Sequence, residues 1–232
     1  MALTALEQMP SERGPHLVPH LPPGRQRISH DFVLQHQRSR IIDALAEEIV
    51  ETGYRDVTVA DIVRRAGVAR NTFYKIFANK EECFLAAADV AGQEAMRRIA
   101  AAIAEAGDTW PEHVRAGIGE FLAFAASESS LARVFIVDSL SAGPEAADRY
   151  ERTVKAIVPL LRIGREDCAN GAVLPDTLEE TIIGGIFWIV YQRIALGRPE
   201  ELQEALPEMV EFALTPYLGF ESARRVAEGF PC

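Results

Sequence analysis

Cysteine is scarce in this chain. Cys83, Cys168 and Cys232 are widely spaced, odd in number and form no C-x-x-C pair. That argues against a disulfide framework and fits a reducing, cytoplasmic setting. Histidine offers no better metal pattern: His16, His20, His30 and His36 lie near the N-terminal end without a cysteine or carboxylate cluster, and His113 has no evident partner. There is no nucleophile elbow and no glycine-rich phosphate loop, so nothing points to an enzyme, a metal or a cofactor. Long hydrophobic runs are also missing. The longest, Ile182–Tyr191, is about half the length that a membrane span needs. The N-terminus, M-A-L-T-A-L-E-Q-M-P, has no basic start followed by an apolar run, so a secretory signal is not expected. Period-two alternation and internal repeats are absent as well, which leaves an all-α reading.

What is present is an ordinary soluble composition, 48% hydrophobic and 25% charged over 232 residues, long enough for a sizeable core. The net charge of −10 is unevenly spread. Residues 25–80 carry ten Lys/Arg against seven Asp/Glu, while residues 81–232 carry thirteen against twenty-five. A phosphate backbone would attract the first segment and repel the second, orienting the molecule on approach. Taken alone, the same asymmetry also fits a chance fluctuation in surface charge.

Residues 1–30 hold five of the thirteen prolines and little apolar periodicity, so they read as a flexible extension. Arg25 and Arg27 at its end fit either a minor-groove arm or a solvated linker. A helix follows from Asp31 to Thr52, with Ile41, Leu45 and Ile49 on one face and Gly53 as its terminator. Thr58 and Asp61 have capping-box spacing, and Val59, Ile62, Val63 and Ala66 form an apolar face. Gly67 ends that short helix. Val68, Phe73, Ile76 and Phe77 form the apolar set of a second short helix, which leaves Arg70, Asn71, Thr72, Tyr74 and Lys75 outward. Two short helices joined by the Ala66-Gly67-Val68 turn read as a helix-turn-helix. Asn79 and Glu82 then cap a long helix running to about Ala106.

The segment from Thr58 to Glu82 resembles the DNA-binding domain of the TetR (tetracycline-repressor-like) family of one-component regulators. The likeness rests on Thr58, the A-G-V turn at 66–68, Thr72-Phe73-Tyr74, Phe77 and Asn79-Lys80-Glu81. Departures are Ala69 where the family often has Ser, Asn71 where Gly is common, and Ile76 where an aromatic or His is common. The resemblance implies a three-helix DNA-binding domain over 31–78, a helical ligand-binding and dimerisation domain over 79–218 and a tail over 219–232. It implies a homodimer on a double-stranded operator, released by a small-molecule effector, most simply as a repressor. Arg70, Asn71, Thr72 and Lys75 are the candidate base readers, Arg suiting guanine and Asn adenine. Thr58, Tyr74 and Lys80 are the candidate phosphate contacts, though Lys80 also fits a plain surface lysine.

In the second half, helices are expected from Pro111 to about Ser127, over Leu131–Leu140, from Pro144 past Pro159, over Asp176–Leu196, and from Pro199 to near Tyr217, with a turn at Asn170-Gly171. The family likeness implies a four-helix dimer interface from the last two, with Gly184, Gly185, Leu206, Met209, Val210 and Ala213 as candidates. The residues alone fit a monomer core equally well. An effector cavity is implied too, with Phe121, Phe124, Phe135, Phe187, Trp188 and Tyr191 as candidate lining and a lipophilic or planar ligand as its class. Plain core is the alternative for each of these rings. The competing functional class is an all-α small-molecule carrier or enzyme that does not bind DNA.

Overall fold

A computed structural model describes residues 30–166, 168 and 171–230. Arg25 and Arg27, proposed as an arm, lie outside the described residues, as does Asn170 of the expected turn. The described chain is all-α. Helix α1 (His30–Thr52) is followed by α2 (Val59–Ala66) and α3 (Arg70–Ile76), and these three form the N-terminal domain. Its core is built from Ile41, Ile42, Leu45, Ile49, Ile62, Phe73 and Phe77, all essentially without solvent contact. Helix α4 (Lys80–Glu105) leads away to α5 (Trp110–Ser127), α6 (Ser129–Ala132), α7 (Pro144–Arg162), α8 (Leu178–Ala195), α9 (Leu206–Leu218) and α10 (Phe220–Ala227). Helices α4, α5, α7, α8 and α9 pack around the second core.

The helix ends follow local chemistry. Thr58 and Asp61 form a reciprocal capping box at α2, the Asp61 carboxylate accepting from the Thr58 N–H at 3.2 Å. Gly67 stops α2 with φ of 60°, in the left-handed region. Glu112 accepts from the Thr109 N–H at 3.1 Å and fixes the start of α5. Pro159 does not interrupt α7, which runs through to Arg162.

Three expectations for the second domain need correction. The span 131–140 is not one α-helix: α6 gives way at Arg133 to a π-helical turn over Arg133–Asp138. The last long helix does not begin at Pro199. Residues Pro199–Ala205 form a 3-10 turn and α9 starts only at Leu206, because Pro207 has no N–H to donate and fits only a first helical turn. The expected tail over 219–232 contains a helix, α10. Ala223, Val226 and Ala227 fall at helical spacing and are buried as α10 folds back on α9.

A buried ionic cluster closes one end of this domain. Glu179 is fully buried and accepts from Arg165 Nε at 2.6 Å and from the Tyr217 hydroxyl at 2.9 Å. Arg165 also donates to the carbonyls of Leu174 and Pro175, tying the α7–α8 connection to α8. Burial works against ionisation of Glu179, but its hydrogen bonds from Arg165 and Tyr217 prevail and hold the carboxyl below its usual range. Beside the cluster, Trp110 donates to the Leu160 carbonyl at 3.0 Å and meets Tyr217 edge-on at 5.0 Å.

Replacing Arg165 with Met should therefore cost about 3–5 kcal/mol, because it strands a buried carboxylate. Because the folded carboxyl titrates low, its contribution is complete above the ordinary glutamate range and disappears as pH falls through the depressed value. Thermal unfolding across the acid range checks this: Arg165→Met should melt well below the parent at neutral pH, and the gap should narrow as the pH is lowered.

Candidate nucleic-acid interface and ligand cavity

Helix α3 presents the candidate reading surface. Phe73 is fully buried and Phe77 nearly so, and together they turn the opposite face outward. Arg70, Asn71 and Lys75 are exposed on that face, and Thr72 is half-buried. The four candidate readers thus share one short helix. Tyr74 is 46% exposed, and the Arg70 guanidinium lies over its ring at 5.7 Å. A stacked Arg loses less side-chain freedom when it engages a base, so the pair is preorganised. Ala69 provides no side-chain cap for α3, so the departure seen in sequence is a real loss of one hydrogen bond.

Two proposed phosphate contacts are committed inside the protein. All three directions of the Lys80 ammonium are taken: it donates to the carbonyls of Tyr54 at 2.8 Å, Val57 at 2.9 Å and Arg55 at 3.3 Å, and lies 4.6 Å from the Tyr54 ring centroid. It staples the α1–α2 loop to α4 and has no donor left for a phosphate. The Thr58 hydroxyl donates to Asp61 at 2.5 Å and serves as the cap of α2. Tyr74 is exposed, and its hydroxyl accepts from Arg70 at 3.4 Å.

Three further arginines of this domain also have partners within the chain. Arg65 bridges Glu47, Glu48 and Glu51 of α1, its Nε 2.8 Å from the nearly inaccessible Glu48 carboxylate. Its hydrogen bonds to these carboxylates, Glu48 first, push the Arg65 guanidinium further up its already high range. Arg64 pairs with Asp61 at 3.0 Å, and Arg40 donates to the terminal carbonyl of α2, Ala66. The basic surplus read from sequence therefore does not coat the domain evenly. On α3 it is exposed at Arg70 and Lys75.

In the second domain a cavity of about 120 Å³ lies between α4, α5, α7 and α8. Ile99 and Ile103 line it from α4; Trp110, His113, Val114, Gly117, Ile118 and Phe121 from α5; Ile157, Leu160 and Leu161 from α7; and Ile183, Ile186 and Phe187 from α8. Apart from His113, which is half-buried, the lining side chains are apolar or aromatic. Of the six rings expected there, Phe121 and Phe187 line it and stack on each other at 4.8 Å. Phe124 does not: it is fully buried elsewhere in the core, with Arg98 over its ring at 5.6 Å. Phe135 also lies away from the cavity, packed on Tyr150 at 5.6 Å. Trp188 and Tyr191 stack parallel at 5.4 Å on the outer side and line a separate open groove of about 390 Å³. His113 and Trp110 escaped the sequence reading, although Trp110, Val114, Ile118 and Phe121 share one helical face.

The expected dimer contacts also divide. Met209, Val210 and Ala213 are almost wholly buried within the subunit, because the α9 stripe faces α5 and α8 of its own chain. Leu206 is half-buried over Gly119. The apolar surface that remains outward on α8 and α9 is Trp188, Leu196 and Phe212, 58%, 64% and 52% exposed. Gly184 is open beside Trp188, and the Phe212 ring occupies the space that a side chain at Gly185 would need.

Burial pushes the Cys83 thiol up to about 12, so it is not a thiolate at neutral pH. Among the described residues, no group of three His, Cys, Asp or Glu is placed to hold a metal, and no helix is long and apolar enough to cross a membrane.

Residues 41–87 match the sequence profile described as "Bacterial regulatory proteins, tetR family". A fatty acid metabolism regulator protein of Bacillus subtilis (strain 168) is 46% identical over 46 residues, which is 20% of this chain and 24% of that protein. The chain thus spans about a quarter of the curated relative it matches. Among solved structures, the fatty acid degradation regulator FadR from Bacillus halodurans superposes with a TM-score of 0.66 at 22% identity, over 80% of this chain and 96% of that one. The transcriptional regulator FadR from Bacillus subtilis, in complex with stearoyl-CoA, gives 0.63 at 24% identity, over 78% and 97%. The regulator PfmR from Thermus thermophilus gives 0.59 at 19% identity, over 79% and 97%. The helix-turn-helix segment is thus similar in sequence to the tetR family of bacterial regulatory proteins, and most of the helical arrangement is shared with solved regulators.

Proposed function

We propose that the chain is a dimeric DNA-binding repressor that leaves its operator when a long-chain acyl compound fills the cavity. The observation that carries the effector class is the lining: a space walled by aliphatic and aromatic side chains, with His113 the one titratable side chain among them. An alkyl chain gains by such a transfer at every methylene, whereas a polar metabolite would leave its hydrogen bonds unmade. The stearoyl-CoA complex of a protein with the same fold supports that class.

On the operator, α3 enters the major groove, with Arg70 and Asn71 reading base edges and Lys75 and Tyr74 at the groove wall. Lys80 acts from within, holding the α1–α2 loop. Homodimerisation uses the exposed side of α8 and α9, where Trp188, Leu196 and Phe212 meet their counterparts.

The cavity reaches the α1–α2 loop of the N-terminal domain through a continuous set of contacts. Phe187 meets Tyr150 at 5.8 Å and Tyr150 meets Phe135 at 5.6 Å. Phe135 belongs to the π-helical turn that also carries Asp138. Asp138 is buried, has Arg133 Nε 3.4 Å away and lies near enough to the backbone N–H of Tyr54 for that dipole to favour its carboxylate. Burial pushes its carboxyl up, against the pull of Arg133 and Tyr54. Tyr54 in turn is held by Lys80 and packs on Phe84 at 4.5 Å. A π-turn closes its hydrogen bonds one residue beyond an α-turn, so a small change in register there would move Asp138 relative to Tyr54. Only a ligand that prefers the non-binding arrangement releases DNA.

Four measurements test this reading. Arg70→Ala should cost about 1–3 kcal/mol on the selected duplex and relax preference at one base step. Lys75→Ala should reduce the salt slope of binding by about one, whereas Lys80→Ala should lower the melting temperature and leave that slope unchanged. Equal slopes for both lysine variants would remove the distinction between contact and staple. In light scattering, Phe212→Glu should convert the dimer into a monomer; a dimer that survives it does not use this face. Asp138→Asn should bind stearoyl-CoA as the parent does yet require at least about fivefold more of it to release DNA. Parent-like release would exclude the Asp138 route.

A further inference from the structure

The inner cavity and the outer aromatic groove share one lining residue among those described, Phe187. Its ring is 5% exposed, stacked on Phe121 at 4.8 Å on the cavity side and met edge-on by Tyr150 at 5.8 Å. Beyond it lie Ile136, Leu140 and Trp188 of the groove. The opposite end of the cavity is the wet one: Ile163 is 39% exposed, and Ile103, His113 and Leu160 are half-buried, whereas Ile183, Ile186 and Phe121 are buried. A chain entering beside His113 therefore runs inward along α5 toward Phe121, about 12 Å at the helical rise per residue, and ends against the Phe187 ring.

We propose that Phe187 is the stop that sets how long an alkyl chain the cavity accepts. This rests on the acyl-effector reading and adds the residue that gives it selectivity. Behind the ring there is unfilled space, the groove of about 390 Å³, rather than packed core. Removing the ring joins the two spaces end to end, so a chain too long for the parent gains a continuous path. Each further methylene buried is worth about fourfold in affinity, and two exceed tenfold. Removing a side-wall residue such as Ile99 widens the cavity without lengthening it.

The test is calorimetric titration of the full-length protein with saturated acyl-CoA thioesters from octanoyl to stearoyl. The parent should show affinity that rises with chain length and then levels or falls. Phe187→Ala, and to a smaller degree Phe187→Leu, should move that maximum toward longer chains, with at least about a tenfold gain for the longest relative to the shortest. Ile99→Ala should leave the position of the maximum unchanged. The leucine variant preserves most of the buried volume and carries the test if the alanine variant does not fold. An unchanged length profile in a Phe187 variant that binds overturns the stop, and so does an equal shift in Ile99→Ala. A parent that binds no acyl-CoA of any length removes the effector class itself, and with it the stop.

Discussion

Helix α3 is two turns long, and a helix that short does not persist in water by itself. The proposed reading of DNA depends on the burial of Phe73 and Phe77, which converts an unstable segment into a fixed surface. Those two rings are met by α1 and α2, whose own arrangement is fastened by the Arg65 bridges to Glu47, Glu48 and Glu51 and by Arg40 on the end of α2. The charges that make the domain basic on paper are mostly engaged in holding it together. Few remain for the ligand, and on α3 those few are Arg70 and Lys75.

Internal fastening of the same kind joins the two domains. Tyr54 sits in a loop, yet its ring packs on Phe84, its carbonyl receives Lys80 and its N–H points to Asp138. A loop fastened at three points to the second domain moves with it. The proposed switch therefore needs no large rearrangement of either core, only a shift of the π-helical turn that lies between the aromatic set and Tyr54. The cavity supplies the bias because a chain that fills it presses on Phe187, the ring through which that set begins.

Much of this was legible in the sequence. The capping residues Thr58, Asp61, Asn79 and Glu82 and the stop at Gly67 act locally, through hydrogen bonds to backbone a few residues away, so spacing alone reveals them. Outward placement of Arg70, Asn71 and Lys75 followed from the periodicity of the buried set. What was not legible depended on contacts distant in sequence. Lys80 reads as a phosphate contact, or else a plain surface lysine, until the α1–α2 loop, 23 to 26 residues earlier, is folded against it. Phe124 and Phe135 are indistinguishable from Phe121 by type and spacing; only the packing of α7 and α8 decides which ring meets empty space. Met209, Val210 and Ala213 read as a free stripe because nothing in α9 says that α5 already covers it. The π-turn leaves no mark in propensity, and α10 was missed because three small buried residues make a weak signal.

The central claim is that duplex DNA and an alkyl chain compete through one protein. Its most direct measurement is fluorescence anisotropy of a labelled duplex, selected from random sequence by the protein, as stearoyl-CoA is added at constant salt. The account predicts saturable loss of anisotropy as the duplex is released, with free coenzyme A having no effect. Stearoyl-CoA that binds the protein, by calorimetry under the same conditions, and leaves the duplex fully bound would contradict it.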